Sequence, residues 1–589
     1  MSHQPYPNLD ALRHVVDVAA GRRPGDLLLR GGRVLNVFSG RIERADVLVA
    51  GALIAAVGPF ADAAAERVVD IEGAWLAPGL IDGHVHIESS LVTPARYAEA
   101  VLPRGVTGVV CDPHEIANVS GVPGVRWLLA GSRDLPLDLW ITVPSCVPST
   151  RLETAGAELG VGEIDDLLAD PWVVAVAELM SFPDVIAGDV AQLAKVAVAE
   201  ALRKPTEGHA PGLGGRGLQA YLAAGIGSDH ESTALEEGRE KLAAGAFLMI
   251  REGSVTRDLD ALMPLVEPRH AERIGFVTDD RFPNDLLDEG GVDVLVRRAL
   301  AAGADPVYAL RCASWNTALH YRLPRRGALA PGYQADLVVI DDLSAFRARQ
   351  VYKDGRLVAE AGRLLVDIPD AGADDAAVRA TVRLPALDEA SFRLSAPHHG
   401  DARVRAIRPL AGQVVTEERH VRPPVQGGAV VADPGRDLVK LACLERHGRN
   451  GGIGLGLVEG LGLRRGALGS SVGHDHHNLM LAGVDDASLR LAAERLAELG
   501  GGFVVVDAGR VLAELPLPVA GLVSAAPIEA VRADLDAVAR AARELGAHAD
   551  DVMMTLSFLG LAVIPALRLT DRGLVDVVAA KVVPFEVER

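Results

Sequence analysis

The stretch Ala77-Pro78-Gly79-Leu80-Ile81-Asp82-Gly83-His84-Val85-His86-Ile87-Glu88-Ser89-Ser90 constrains this chain more than any other. An apolar run ends there in two histidines separated by one residue. In an extended strand residues i and i+2 project from one face, so both imidazoles reach a single ion. A lone His-x-His is often just a pair of solvated or hydrogen-bonded histidines. The other residues of the chain decide between the two.

Residues about 76–320 alternate apolar, strand-like runs with helical stretches, the signature of repeated βα units. Eight candidate strands are visible, at 77–86, 106–112, 138–144, 172–179, 203–209, 224–230, 245–250 and 273–279. Eight suggests a closed (β/α)8 barrel of the TIM type; counting alone also permits a doubly wound open sheet. The metal-capable residues favour the barrel. His84 and His86 end the first run, Glu178 follows Val173-Val174-Ala175-Val176-Ala177, and His209 ends the fifth run. His230 follows Gly227-Ser228-Asp229, and Asp279 follows Ile274-Gly275-Phe276-Val277-Thr278. In a parallel barrel these C-terminal strand ends meet on one rim, where active sites of the fold are built. Four histidines with two carboxylates suit divalent Zn, Fe or Mn, with two ions if Glu178 bridges. Taken singly, Glu178 is also read as a helix cap, Asp279 as a turn residue with Asp280, and His209 as a surface histidine. Their joint placement argues for a metal centre.

Short apolar runs at 26–30, 33–37, 45–49 and 53–57, separated by Gly-containing turns, precede this section, and similar runs at 334–340, 350–355 and 356–358 follow it. They imply one composite small β-sandwich domain, residues 1–75 closed by 321–370, around the inserted barrel; two unrelated hairpins are the plainer alternative. Asp367 to Asp375 reads as a linker. Residues 380–589 then alternate strands and helices as an additional C-terminal α/β domain. Gly451-Gly452-Ile453-Gly454-Leu455-Gly456 lacks the lysine of a phosphate loop and reads as permissive backbone. Gly469 to Asn478, with His474, Asp475, His476, His477 and Asn478, reads as an exposed loop, a third metal site or a flap over the barrel rim, and the flap is preferred because a bare rim is open to water. His476 is the least necessary of that set.

Composition bounds the partners. A chain of 589 residues exceeds one compact core, and its formal net charge of −20 argues against nucleic acid or an anionic membrane as main partner. Cys111, Cys146, Cys312 and Cys443 lie far apart with no C-x-x-C spacing, so neither a disulfide framework nor a thiolate zinc site is indicated, and a reducing cytoplasm fits. Charged residues interrupt the first 21 residues, unlike a signal peptide, and no apolar run reaches membrane-spanning length free of charge. The expected assembly is a homo-oligomer, dimer or higher.

The order His84-x-His86, Glu178, His209, His230, Asp279 within β-rich flanks resembles the amidohydrolase superfamily. More narrowly, residues 83–90, then Cys111-Asp112-Pro113-His114-Glu115-Ile116-Ala117-Asn118-Val119, then Gly227-Ser228-Asp229-His230-Glu231, and finally residues 469–478 are similar to the adenine deaminase family. Many binuclear relatives bridge their metals with a carboxylated lysine at the fourth strand; here Glu178 stands in that place. The resemblance implies hydrolytic deamination of adenine to hypoxanthine and ammonia, in purine salvage, by a metal-activated hydroxide in a binuclear site. His84, His86, Glu178, His209, His230 and Asp279 are the implied ligands, of two Mn(2+) or Fe(2+) ions, with Zn(2+) as a further candidate. Asp279 is the candidate proton shuttle and Glu115 the candidate group on the purine ring. His114, Glu88, Ser89 and Ser90 are expected to orient ligands, and His474, Asp475, His477 and Asn478 to line or cover the substrate. Another amidohydrolase, acting on a cyclic amide or N-acyl group, is the alternative, and a non-catalytic scaffold a more remote one.

Overall fold

Each of the eight runs holds a strand: Leu80–His86, Val106–Cys111, Asp138–Val143, Val173–Leu179, Thr206–Gly208, Ser228–Asp229, Phe247–Arg251 and Ile274–Val277. The computed structural model describes residues 8–270, 272–370, 375–396, 403–410, 413–548 and 551–587. The strands are buried along their whole length, which is why they read as continuous apolar runs rather than alternating ones. The first five pair in parallel in chain order. Thr206 bridges in parallel to Ile226, just before the sixth, and the sixth to eighth pair in parallel again. Beyond the eighth, Asp279 and Asp280 pair with Val85 and His86 of the first. The buried Asp82 adds a side-chain tie: its carboxylate accepts from the Thr278 hydroxyl at 2.6 Å and the Thr278 N–H at 3.1 Å. The architecture is mixed α/β around a curled parallel sheet.

Several boundaries differ from the sequence reading. The run 77–86 is two strands, because Trp75–Pro78 pairs antiparallel with Leu337–Ile340 in the flanking sheet while Leu80–His86 pairs with Val106–Cys111. The chain crosses between sheets at Gly79, where a Cβ would lie 2.1 Å from the Thr107 hydroxyl oxygen. The two flanks meet in one nine-stranded sheet. Residues 26–37, read as two strands, form the single strand Gly25–Asn36 with a register shift between Leu29 and Gly32. Below the parallel sheet, Arg326 and Lys353 lie 2.6 and 3.3 Å from Asp138 of the third strand, and Lys353 lies 3.1 Å from Asp336 of the flank.

After the expected linker, of which residues 371–374 lie outside the described residues, the chain builds an eight-stranded sheet. Helix Asp486–Leu499 covers one face through Leu489, Ala492, Ala493 and Leu496. The glycine run lies in and just before strand Ile453–Glu459. A Cβ on Gly454 would lie 1.9 Å from the Thr570 carbonyl oxygen, so the glycine serves close backbone packing. The histidine loop joins two neighbouring antiparallel strands, Ala467–Ser470 and Leu479–Gly483. Among the described residues no helix is long and apolar enough to cross a membrane.

Strand Leu567–Thr570 of a separate three-stranded sheet, the turn after it and the histidine loop dock on the loop after the third parallel strand. Thr154 donates its N–H to Asp571 at 2.9 Å, Thr570 donates to the Leu152 carbonyl at 2.7 Å, and Asn478 donates to the Thr154 carbonyl at 2.9 Å. Glu153 is buried in this joint beside the Ser149 hydroxyl, 2.8 Å away. Burial, and then the charge of Asp475, push its carboxyl up to about 8.

An acid whose pKa rises on folding binds more protons folded than unfolded between its ordinary value and its raised one, so stability falls as pH climbs through that window. Glu153→Gln is therefore expected to flatten the decline in thermal midpoint between pH 5 and 8. The effect at pH 8 is on the order of a few kcal/mol, and melting curves of both proteins across that range measure it.

Candidate metal centre

Alternation along the first strand turns His84 and His86 to the same side, and their Nε2 atoms lie 3.2 Å apart. Asp279 follows the eighth strand with φ +58°, a left-handed conformation that costs an aspartate less than most residues. That turn aims its Oδ1 at the pair, 3.1 Å from His86 Nε2 and 3.5 Å from His84 Nε2. Across the rim, Glu178 Oε2 lies 2.5 Å from His209 Nδ1 and 3.1 Å from His230 Nε2. Its other oxygen, Oε1, faces the opposite way, 3.3 Å from His114 Nδ1 and 3.8 Å from His86 Nε2. The six side chains thus form two clusters with the Glu178 carboxylate between them.

Burial works against a charge on Glu178, yet the imidazoles of His209 and His230 outweigh it and hold the carboxyl well below its usual range. Burial likewise opposes charge on Asp279, but the Arg251 guanidinium and then His84 and His86 keep it well below. The donor set fits divalent metal. Neutral imidazoles carry one proton each, so the close-facing His84 and His86 nitrogens leave lone pairs pointing at each other and at a carboxylate oxygen. Cations among these nitrogens and oxygens satisfy the lone pairs that protein groups leave facing one another.

Glu115 is the second residue of the helical segment His114–Ser132 and reaches the same rim. Its Oε1 lies 2.8 Å from His474 Nδ1 and 3.4 Å from His114 Nε2, and its Oε2 touches His477 Nε2. Two histidines of the C-terminal loop therefore bracket one ring-borne carboxylate. Burial disfavours the His474 cation, but Glu115 more than compensates and lifts it to about 9; burial leaves His477 at about 4. Asp475 Oδ1 lies 3.9 Å from His114 Nε2. His476 turns the other way, its Nδ1 accepting from the Asn478 N–H at 2.9 Å. Asn478 is spent on Arg446 and Thr154, and the Ser90 hydroxyl on the Ile87 carbonyl. Ser89 donates to Asp280 at 2.5 Å, and Glu88 accepts from the Ile116 N–H at 3.2 Å, steadying the start of the Glu115 helix.

Sequence reasoning missed three rim residues. Asp112 Oδ2 lies 3.2 Å from His114 Nδ1 and its carbonyl 2.9 Å from His86 Nδ1. Arg251 is 3.0 Å from Asp279 Oδ2, and Glu231 lies 3.6 and 3.8 Å from His230 and His209. The signal was available: Asp112 and Arg251 are polar residues at the C-terminal end of their apolar runs, the rule that located the other ligands.

Residues 75–358 match the amidohydrolase family and residues 413–581 the adenine deaminase C-terminal domain. The adenine deaminase of Kosmotoga olearia is 44% identical over 565 residues, covering 96% of this chain and 97% of that protein. Adenine deaminase 2 of Carboxydothermus hydrogenoformans is 45% identical over 575 residues, covering 97% and 99%. The adenine deaminase of Desulfatibacillum aliphaticivorans is 46% identical over 563 residues, covering 96% and 97%.

If the Glu178 carboxylate serves both clusters, Glu178→Ala loses at least one bound divalent ion per chain and about 10²-fold or more in turnover. Elemental analysis of protein purified with metal supplementation reads the first, and a steady-state assay the second.

Proposed function

The chain belongs to the adenine deaminase family of amidohydrolases, and from that premise we propose that its rim hydrolyses adenine to hypoxanthine and ammonia, in purine salvage. The full-length identity to adenine deaminases supports the substrate, and the Glu178 carboxylate between two ligand clusters supports the chemistry. The enzyme is a metal-dependent hydrolase. The finer reading is a (β/α)8 barrel, supported by the parallel pairing from strand to strand and back to the first, with a composite β-sandwich and a C-terminal α/β domain. In that reading His84, His86, Asp279, His209, His230 and Glu178 would hold the divalent ions. Mn(2+) or Fe(2+) is favoured by resemblance, and the nitrogen and carboxylate donors are suited to either. Divalent ions bound there would supply Lewis acidity, bringing the pKa of water near neutrality.

The protein groups account for the proton traffic. Water oxygen bonds to C6, the exocyclic C–N bond breaks, and ammonia leaves; both water protons are given up, one reaching the departing amine and the second, lost as the C6 hydroxyl becomes a carbonyl, restoring the proton that a protein group delivers to the ring nitrogen. Asp279, ionised through Arg251, accepts the water proton and returns it to the amine. Glu115 is itself held ionised, its burial outweighed by His474, His477 and His114. The proton for the ring nitrogen is therefore held by the Glu115–His474 pair, not by Glu115 alone. His474 stacks on Phe558 with ring centroids 5.0 Å apart, which fixes the imidazole plane. The histidine loop also excludes water from the rim, a condition under which these charges act most strongly.

Three outcomes are expected. Apo-protein stripped by chelator releases no ammonia from adenine and recovers on adding divalent metal. His474→Ala keeps its metal content but loses roughly 10²-fold in kcat. In the parent, kcat declines as pH rises through about 9, where the His474 proton is lost, and this limb disappears in the variant. A coupled ammonia assay across pH, with hypoxanthine quantified by chromatography, separates this activity from hydrolysis of cyclic amides.

A further inference from the structure

The seventh ring strand, Phe247–Arg251, supplies no metal ligand, yet its last residue is the most heavily engaged cation at the rim. Arg251 is 3% exposed and contacts three carboxylates. Its Nη1 donates to Asp279 Oδ2 at 3.0 Å and also contacts Glu231 Oε1; Nη2 donates to Glu231 Oε2 at 3.2 Å; Nε donates to Asp258 Oδ2 at 3.2 Å. The guanidinium therefore grips Glu231 with both prongs while holding the Asp279 oxygen that does not face His84 and His86.

The position of Glu231 gives that grip a purpose. Glu231 Oε1 is 3.6 Å from His230 Nε2 and 3.8 Å from His209 Nδ1, and the three residues form a compact set of possible ligand atoms. That carboxylate already stands at the spacing of a third ligand to the two imidazoles, and the Arg251 guanidinium occupies the same Oε1. A hydrolytic metal site must keep a coordination position open, and an extra carboxylate would close it. Asp279 presents the same hazard, because a free carboxylate can turn both oxygens to one ion.

We propose that Arg251 is a positioning residue that keeps Glu231 out of the coordination shell and confines Asp279 to one metal-facing oxygen. The proposal rests on the ligand assignment above. Arginine suits the task because its planar fork fixes two carboxylates at set angles, which a lysine ammonium does not.

The test compares metal-loaded parent, Arg251→Met, and the Glu231→Gln/Arg251→Met double variant, measuring metal release into excess chelator alongside kcat and KM. Arg251→Met should release metal about 10-fold more slowly and lose about 10²-fold in kcat with KM little changed, because the added ligand binds the ion and blocks the reaction. The double variant should return the release rate to within about threefold of the parent and regain at least about 10-fold in kcat, since a neutral amide is a weak ligand. Release from Arg251→Met at the parental rate or faster overturns the proposal, and so does a double variant that matches the single one. Should Arg251→Met fail to fold, Arg251→Lys keeps the charge and much of the bulk. It should show slower release of about threefold, and parental release would overturn the proposal equally. A parent that binds no divalent metal overturns the ligand assignment itself, and this proposal with it.

Discussion

A carboxylate buried among imidazoles is the interaction on which the rest of this molecule depends. Glu178 has one oxygen against His209 and His230 and the other toward His114 and His86. Burying an isolated carboxylate is prohibitively costly, and positive charge beside it makes the burial tolerable. Imidazoles can provide that charge as cations, or they can hold metal ions that do so while leaving the rings neutral. The parallel strands make either arrangement possible because their ends aim five separate segments at one point.

Around that centre the charges form a graded series. Asp279 is shared between His84 and His86 on one side and Arg251 on the other, and Arg251 is balanced in turn by Glu231 and Asp258. Nearby, Glu115 comes from the helix after the second parallel strand, and His474 and His477 from the loop between two strands of the C-terminal sheet. The candidate site is therefore a joint between two parts of the chain, held by contacts such as Thr154 with Asp571 and Asn478.

Much of this was legible in the residues. The His-x-His pair, and a polar residue closing each apolar run, follow from strand periodicity and from where parallel strands end. The break at Gly79 was not legible, since Ala77-Pro78 and Leu80-Ile81 are equally apolar and only the pairing with Leu337–Ile340 assigns the former to another sheet. The sixth strand shrank to Ser228–Asp229 because its neighbours Gly225 and Gly227 are poor strand formers. Among the rim residues, Arg251 escaped notice because an arginine is not a ligand, although the rule that found His209 and Asp279 applies to it unchanged. The partnership of Glu115 with His474 and His477 spans more than 350 positions, and no local pattern encodes it.

Anomalous diffraction from crystals of the metal-loaded chain, collected at the absorption edge of the bound element, tests the central claim most directly. The account predicts two peaks about 3.5–4 Å apart, each at bonding distance from a different oxygen of Glu178, one beside His84 and His86 and the other beside His209 and His230. A single peak, or two peaks with Glu178 bonded to neither, would contradict it.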